Sequence, residues 1–288
     1  MVAAAVGWRL AGDGGAQPEA ALEPVPPVAP LDDASETFRF AVIGDYGTGG
    51  GAEQSVAAQV RRWVRREDAA ALVTTGDNVY PDDDPDRFDR AWRQPYGWVG
   101  DRHLRVVASL GNHDSDDGGR PVMELLDMPA PWYSITLGDA ELIVLDAKRP
   151  TDPDQLAWLD QTLRASRASW KIAVFHQPAY SCSTHATTAD VLAAWVPLFE
   201  AHGVDLVLNG HDHNYQRFEP RHDVTYVVSG GGGARLYDIE VCEHGEPPLA
   251  AGNDDTHSFV AVEGTGTRLH LQAISEKGDI LDQIMLAN

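Results

Sequence analysis

Five short segments concentrate side chains able to bind cations: Gly44-Asp45-Tyr46-Gly47, Gly76-Asp77-Asn78-Val79-Tyr80, Gly111-Asn112-His113-Asp114, Val174-Phe175-His176 and Gly210-His211-Asp212-His213. Each sets Asp, Asn, His or Tyr directly after an apolar, strand-like run. Oxygen and nitrogen donors of this kind suit hard to borderline metal ions. A pair of such ions is a standard means of activating water against a phosphate ester. Taken singly, each segment has a plainer reading. Gly-Asp after a strand is usually a turn, His176 could be a satisfied core histidine, and Tyr80 could cap the core. Five such donor sets at five strand ends call for a common cause.

The elements that carry these segments alternate. Phe38 to Ile43, Ala70 to Thr75 and Leu104 to Leu110 read as strands, and Glu53 to Arg66 has helical periodicity through Val56, Val60 and Trp63-Val64. Trp132 to Leu137 and Glu141 to Leu145 read as a hairpin across Gly138-Asp139. Asp154 to Ser166 and Thr188 to Ala201 read as helices, and Trp170 to Phe175, Val204 to Leu208 and Val224 to Ser229 as strands. Strands at Ser258–Glu263, Arg268–Ile274 and Ile280–Leu286 follow. The expected class is α/β (α+β), with two packed sheets and helices on their outer faces. All five segments fall at carboxyl ends of strands, where open α/β sheets gather ligands. On an extended strand end, His211 and His213 would point the same way and Asp212 elsewhere.

The chain has 288 residues, 43% of them hydrophobic, enough for a sizeable core. Residues 1–36 are rich in Ala, Pro, Gly and acids and read as a linker or disordered arm, with the folded domain over 37–288. The 22 Lys and Arg against 44 Asp and Glu give a net charge of −22, which repels nucleic acid and anionic membranes. Any phosphate site must therefore be made positive locally, which bound metal ions would do. No apolar run approaches the ~18 residues of a membrane span. Val2 to Val6 is apolar but lacks a basic stretch before it, so a signal segment was either trimmed or never there. Cys182 and Cys242 form a disulfide, favouring an oxidising, extracytoplasmic compartment, or stay as two free thiols. Asp82-Asp83-Asp84 reads as a solvated loop, and Gly230–Gly233 as a tight turn under the site or a cradle of amides for phosphate. His103, His202, His222, His244, His257 and His270 read as surface or structural.

In their order, the five segments resemble the metallophosphoesterase (calcineurin-like) superfamily, and within it the purple acid phosphatases. The likeness runs from Asp45 to His213, with similar strands beyond. Many members begin with Asp-x-His, whose His binds metal. Here Asp45-Tyr46-Gly47 lacks it, and Tyr80 stands three residues after Asp77, as in purple acid phosphatases. A phenolate is a hard ligand that favours ferric iron over zinc. The resemblance implies a two-sheet β-sandwich flanked by helices. It implies a ferric ion on Asp45, Asp77, Tyr80 and His213, with Asp77 bridging to a divalent iron, zinc or manganese on Asn112, His176 and His211. His113, with Asp114 as an orienting carboxylate, and His185, at an offset similar to that in mammalian-type members, could contact phosphate or protonate the leaving alkoxide. The implied reaction is attack of a metal-activated hydroxide on a small-molecule phosphate monoester. A phosphodiesterase or nucleotide pyrophosphatase on the same centre is the alternative, since the metals contact phosphate and not the leaving group. A non-catalytic metal-binding or sensor module would be expected to have lost a ligand, and none is lost.

Overall fold

Apolar runs with few polar interruptions become strands covered on both faces. In the computed structural model, which describes residues 37–288 apart from 83, 103, 115, 243 and 244, thirteen strands form two sheets. The arm over 1–36, Asp83, His103 and His244 thus lie outside the described residues. The strands are β1 (Phe38–Ile43), β2 (Ala71–Thr74), β3 (Arg105–Ala108), β4 (Tyr133–Leu137), β5 (Ala140–Val144), β6 (Trp170–Val174) and β7 (Leu206–Asn209). They continue as β8 (Tyr215–Phe218), β9 (Thr225–Ser229), β10 (Leu249–Asn253), β11 (Ser258–Thr265), β12 (Arg268–Ser275) and β13 (Ile280–Ala287). One sheet has the order β13-β12-β11-β1-β2-β3 and the other β10-β8-β9-β7-β6-β5-β4. The strands that carry the five segments are parallel to their neighbours in β1-β2-β3 and in β5-β6-β7-β9. Their carboxyl ends therefore share an edge within each sheet.

Period-2 alternation divides the core. Leu142, Val144, Ile172 and Val174 join the cluster that fills the sandwich together with Phe40 and Val42. Their neighbours Ile143, Leu145, Ala173 and Phe175 face outward, beneath Leu159, Leu163 and Phe199 of the covering helices and Trp195 at the joint between two of them. The helix Gly51–Glu67 lays Val56, Val60, Trp63 and Val64 on the first sheet, with Glu53 in its first turn and Arg65 and Arg66 in its last. The hairpin turns at Gly138-Asp139 as expected, pairing Leu137 with Ala140.

Three features depart from expectation. β8 and β10 were not among the expected strands, because the short polar-containing segments YQRF and LAAGN carry no period of their own. Short helical turns between Pro85 and Asp101 were not expected. The helix expected over Thr188 to Ala201 is two pieces, Ala189–Ala194 and Val196–His202. Pro197 is the reason: it has no N–H to donate and its ring crowds the carbonyl four residues back.

The sheets are also clamped at one edge. Tyr215 Oη donates to Asp282 Oδ2 at 2.7 Å, and Arg217 donates to both Asp282 oxygens at 2.6 and 3.0 Å. Burial works against the Asp282 charge, but the bonds from Arg217 and Tyr215 outweigh it and hold the carboxyl below its ordinary range. A carboxyl so depressed stabilises the fold above its unfolded pKa of ~3.9, and that contribution is lost as pH falls through the lower folded value. Asp282→Asn should cost about 1.5–3 kcal/mol at neutral pH, the worth of a hydrogen bond to a charged group. The gap from wild type should close as the pH drops below about 4. Thermal melts at both pH values check this; equal melting temperatures at neutral pH would refute the clamp.

Candidate metal centre

Each donor segment leaves its strand and turns at once. Asp45, Asp77 and His211 have left-handed backbone, with φ of 55°, 51° and 73°. Residues with a Cβ seldom occupy that region, and such strain gathers at functional sites. Two glycines let the segments approach. Gly76 has φ of 97°, and a Cβ there would lie 2.6 Å from His176 Nδ1. A Cβ on Gly230 would lie 2.1 Å from the Asp212 carbonyl oxygen and 2.9 Å from Asp45 Oδ2. The first glycine of Gly230–Gly233 is thus packed beneath the site, consistent with the tight-turn reading. His211 and His213 do face the site together, but not by strand alternation. β7 has already ended at Asn209, and the left-handed turn at His211 sets their directions.

The donors fall into two adjoining groups. Tyr80 Oη lies 3.2 Å from Asp45 Oδ1, 2.9 Å from Asp77 Oδ2 and 3.1 Å from His213 Nε2. His213 Nε2 is 3.4 Å from Asp45 Oδ1. In the second group, His176 Nε2 lies 3.0 Å from Asn112 Oδ1, 3.2 Å from His211 Nδ1 and 3.4 Å from Asp77 Oδ1. Asp77 therefore turns one oxygen to each group. Asp45, Asp77, His176 and His213 are buried, while Asn112 is exposed at the mouth.

Backbone carbonyls orient two of the imidazoles. Thr75 O faces His176 Nδ1 at 2.8 Å, and Arg235 O faces His213 Nδ1 at 2.7 Å. A carbonyl only accepts, so Nδ1 carries the hydrogen, and in the neutral ring Nε2 offers its lone pair to the cluster. Burial pushes Tyr80 far above the ordinary phenol range, and the Asp45 and Asp77 carboxylates add to it. Burial, then His176 and His185, push His211 down to about 2, which keeps it a neutral donor. For Asp77, burial opposes the charge, yet the neighbouring His176 holds the carboxyl below its usual range. Burial opposes a proton on His176 and on His213, but the Asp77 and Asp45 carboxylates outweigh it and raise both, His176 to about 9. Oxygens and imidazoles of Asp45, Asp77, Tyr80, Asn112, His176, His211 and His213 thus converge around a few protons, and such a set fits cations, which would displace those protons.

Around this core lies an outer ring. His113 is half-buried, its ring 4.7 Å from that of Tyr80, its Nε2 4.0 Å from Asp77 Oδ2 and its Nδ1 against the Pro81 carbonyl. His185 is exposed, its ring 4.2 Å from that of His211. Asp114 does not orient His113, correcting the sequence reading. Its fully buried carboxylate accepts from Asn78 N, Asn78 Nδ2 and Gly111 N, locking the second and third segments together. Burial and then the nearby Asp77 push it up to about 6. Asp212 points away from the donors, as expected, and has a use there. It accepts from Ser181 Oγ at 2.5 Å and from the His185 amide at 2.9 Å, fixing the His185 loop. Cys182 in that loop is joined to Cys242 by a disulfide, which resolves the two alternatives for these cysteines. Tyr237 was missed altogether; its ring stacks on His213 at 4.1 Å, and no spacing in the chain signals it. His202, His222 and His257 serve structure, paired with Asp160, Glu200 and the Ala234 carbonyl.

The family model for calcineurin-like phosphoesterases matches residues 38–215. Purple acid phosphatase 4 of Arabidopsis thaliana is 31% identical over 245 residues, covering 73% of this chain and 71% of that protein. The purple acid phosphatase of yellow lupin (Lupinus luteus) seeds superposes with a TM-score of 0.74 at 18% identity, over 87% of this chain and 54% of that one. GAP50, the anchor in the inner membrane complex of Plasmodium, superposes with a TM-score of 0.77 at 20% identity, over 87% and 89%. At such identities the two structures show the fold alone. No helix among the described residues is long and apolar enough to cross a membrane.

Proposed function

The chain belongs to the calcineurin-like phosphoesterase family and is a hydrolase, and on that premise we propose that residues 37–288 form a phosphatase domain that hydrolyses phosphate monoesters at a dinuclear Fe(III)–M(II) centre. The observation that carries this reading is the division of Asp77: Oδ2 lies 2.9 Å from Tyr80 Oη and Oδ1 lies 3.4 Å from His176 Nε2. Asp45, Asp77, Tyr80 and His213 would hold the ferric ion. Asp77, Asn112, His176 and His211 would hold a divalent iron, zinc or manganese. Two cations there supply Lewis acidity and make water acidic enough to act as a nucleophile at mild pH.

The chain's own groups do the rest. The Thr75 and Arg235 carbonyls hold His176 and His213 in the tautomer whose Nε2 presents its lone pair. His113 and His185 stand at the mouth, where a leaving alkoxide would need a proton. The Pro81 carbonyl takes the Nδ1 hydrogen of His113 and leaves Nε2 for the substrate. Asp212 holds the His185 loop through the His185 amide. The anionic surface, net −22, leaves the cations as the local attraction for phosphate. The disulfide suits an oxidising compartment, so we assign the enzyme an extracytoplasmic location.

Metal analysis with a visible spectrum tests the ferric site. A ferric phenolate at Tyr80 should colour the oxidised protein pink to purple, and Tyr80→Phe should bleach the band and leave the fold intact. Colourless protein with stoichiometric iron, or an unchanged spectrum in the variant, would count against it. Turnover of monoesters well above diesters is the expected substrate pattern; the reverse would move the reading to a phosphodiesterase.

A further inference from the structure

Three rings at the mouth each lie on the ring of a proposed ligand: His113 on Tyr80, His185 on His211 and Tyr237 on His213. The two histidines have proposed roles, and Tyr237 has none. Its ring is nearly parallel to His213, at 13° and 4.1 Å, and meets the His185 ring edge-on at 5.4 Å. Its backbone is pinned on both sides: Tyr237 N donates to His213 O at 3.1 Å, and Tyr237 O accepts from Asn214 Nδ2 at 3.1 Å. Two residues earlier, the Arg235 carbonyl takes the His213 Nδ1 hydrogen at 2.7 Å. The residue is half-buried, and its hydroxyl makes no hydrogen bond to any described residue. The ring is therefore fixed against the site while its one polar atom is unspent.

We propose that Tyr237 is a substrate-contacting residue, whose phenolic O–H donates to an oxygen of the bound phosphate; this rests on the phosphatase reading above. The chemistry favours a phenol at this place. A Lys or Arg stacked on a ligand of a cation would be repelled by that cation, and a carboxylate would compete with phosphate for it. A neutral hydroxyl donates to the phosphate oxygen, forming a charge-assisted bond, without either conflict.

The test uses the metal-loaded protein and its Tyr237→Phe variant, which keeps the ring and the stack and removes only the hydroxyl. Affinity for inorganic phosphate is measured by calorimetry, alongside kcat and KM on a monoester and metal content. The expected result is phosphate binding weakened about ten- to a hundredfold, the worth of one hydrogen bond to a charged group, with metal content unchanged. A fall in kcat/KM should accompany it. Unchanged phosphate affinity would overturn the contact. Metal loss in parallel would also overturn it, since Tyr237 would then only support His213. If the wild type binds phosphate but turns over no monoester, the monoester reading fails, and the phosphate affinities still decide Tyr237. If the loaded wild type binds no phosphate, both fall.

Discussion

Asp77→Asn should lose metal from both groups of donors and lower kcat/KM by roughly 10³-fold, the upper range for removing one electrostatic stabiliser from an active site. The expectation follows from one side chain serving two clusters. Asp77 is 1% exposed, with Oδ2 2.9 Å from Tyr80 Oη and Oδ1 3.4 Å from His176 Nε2. Asn keeps the shape but offers one neutral oxygen and one N–H₂, so at most one group retains a donor, without charge. The fold should survive, because φ at Asp77 is 51° and Asn tolerates the left-handed region. His176→Ala is the contrast. It removes a donor from the second group alone and should leave the Tyr80 colour in place. Elemental analysis of the two variants decides the matter. Full loading of both metals in Asp77→Asn would exclude the bridge.

His113→Ala should leave metal content near wild type and reduce turnover by ~10²–10⁴-fold, the usual contribution of a positioned acid. The His113 side chain belongs to neither donor group; its ring lies 4.7 Å from Tyr80, its Nδ1 is taken by the Pro81 carbonyl, and only its backbone amide donates to Asp77 Oδ1, at 2.9 Å. Its remaining nitrogen faces the cleft, with Nε2 4.0 Å from Asp77 Oδ2. The loss should be larger on an alkyl phosphate than on nitrophenyl phosphate, because a poor leaving group depends more on its proton. His185→Ala should follow the same pattern. Both variants turning over alkyl phosphate at the wild-type rate would remove these histidines from the reaction. Asp114→Asn should behave differently. That carboxylate is buried among Asn78 and Gly111 donors, so its loss should appear as lower stability.

Much of this molecule is written locally. The strands β1, β2, β6 and β7 are short apolar runs ending in Gly-Asp, His or Asn-Gly, and such runs can hardly be anything else. The donor residues follow them at once, so their types and order were plain from the chain, as were the hairpin over Gly138-Asp139 and the helix expected over Glu53 to Arg66, which spans Gly51–Glu67. β8 and β10 were not, because they pair across the sheet without any period of their own. The break at Trp195 was legible in principle, since Pro197 announces it.

Tertiary structure decided what the donors do with one another. Sequence spacing could not divide the two oxygens of Asp77 between partners 3 and 99 residues away, Tyr80 and His176. Nor could it turn Asp114 from His113 toward Asn78, because adjacency along the chain says nothing of direction once the backbone leaves the strand. The union of Cys182 with Cys242, 60 residues apart, and the stack of Tyr237 on His213 likewise depend on how loops close over the sheet edge. The chain alone determined which chemistry was available, because that rests on residue type and on strands whose hydrophobicity is local. The fold determined which atoms meet, because contacts between distant segments are set by packing of the two sheets, and packing has no signature in the spacing of residues.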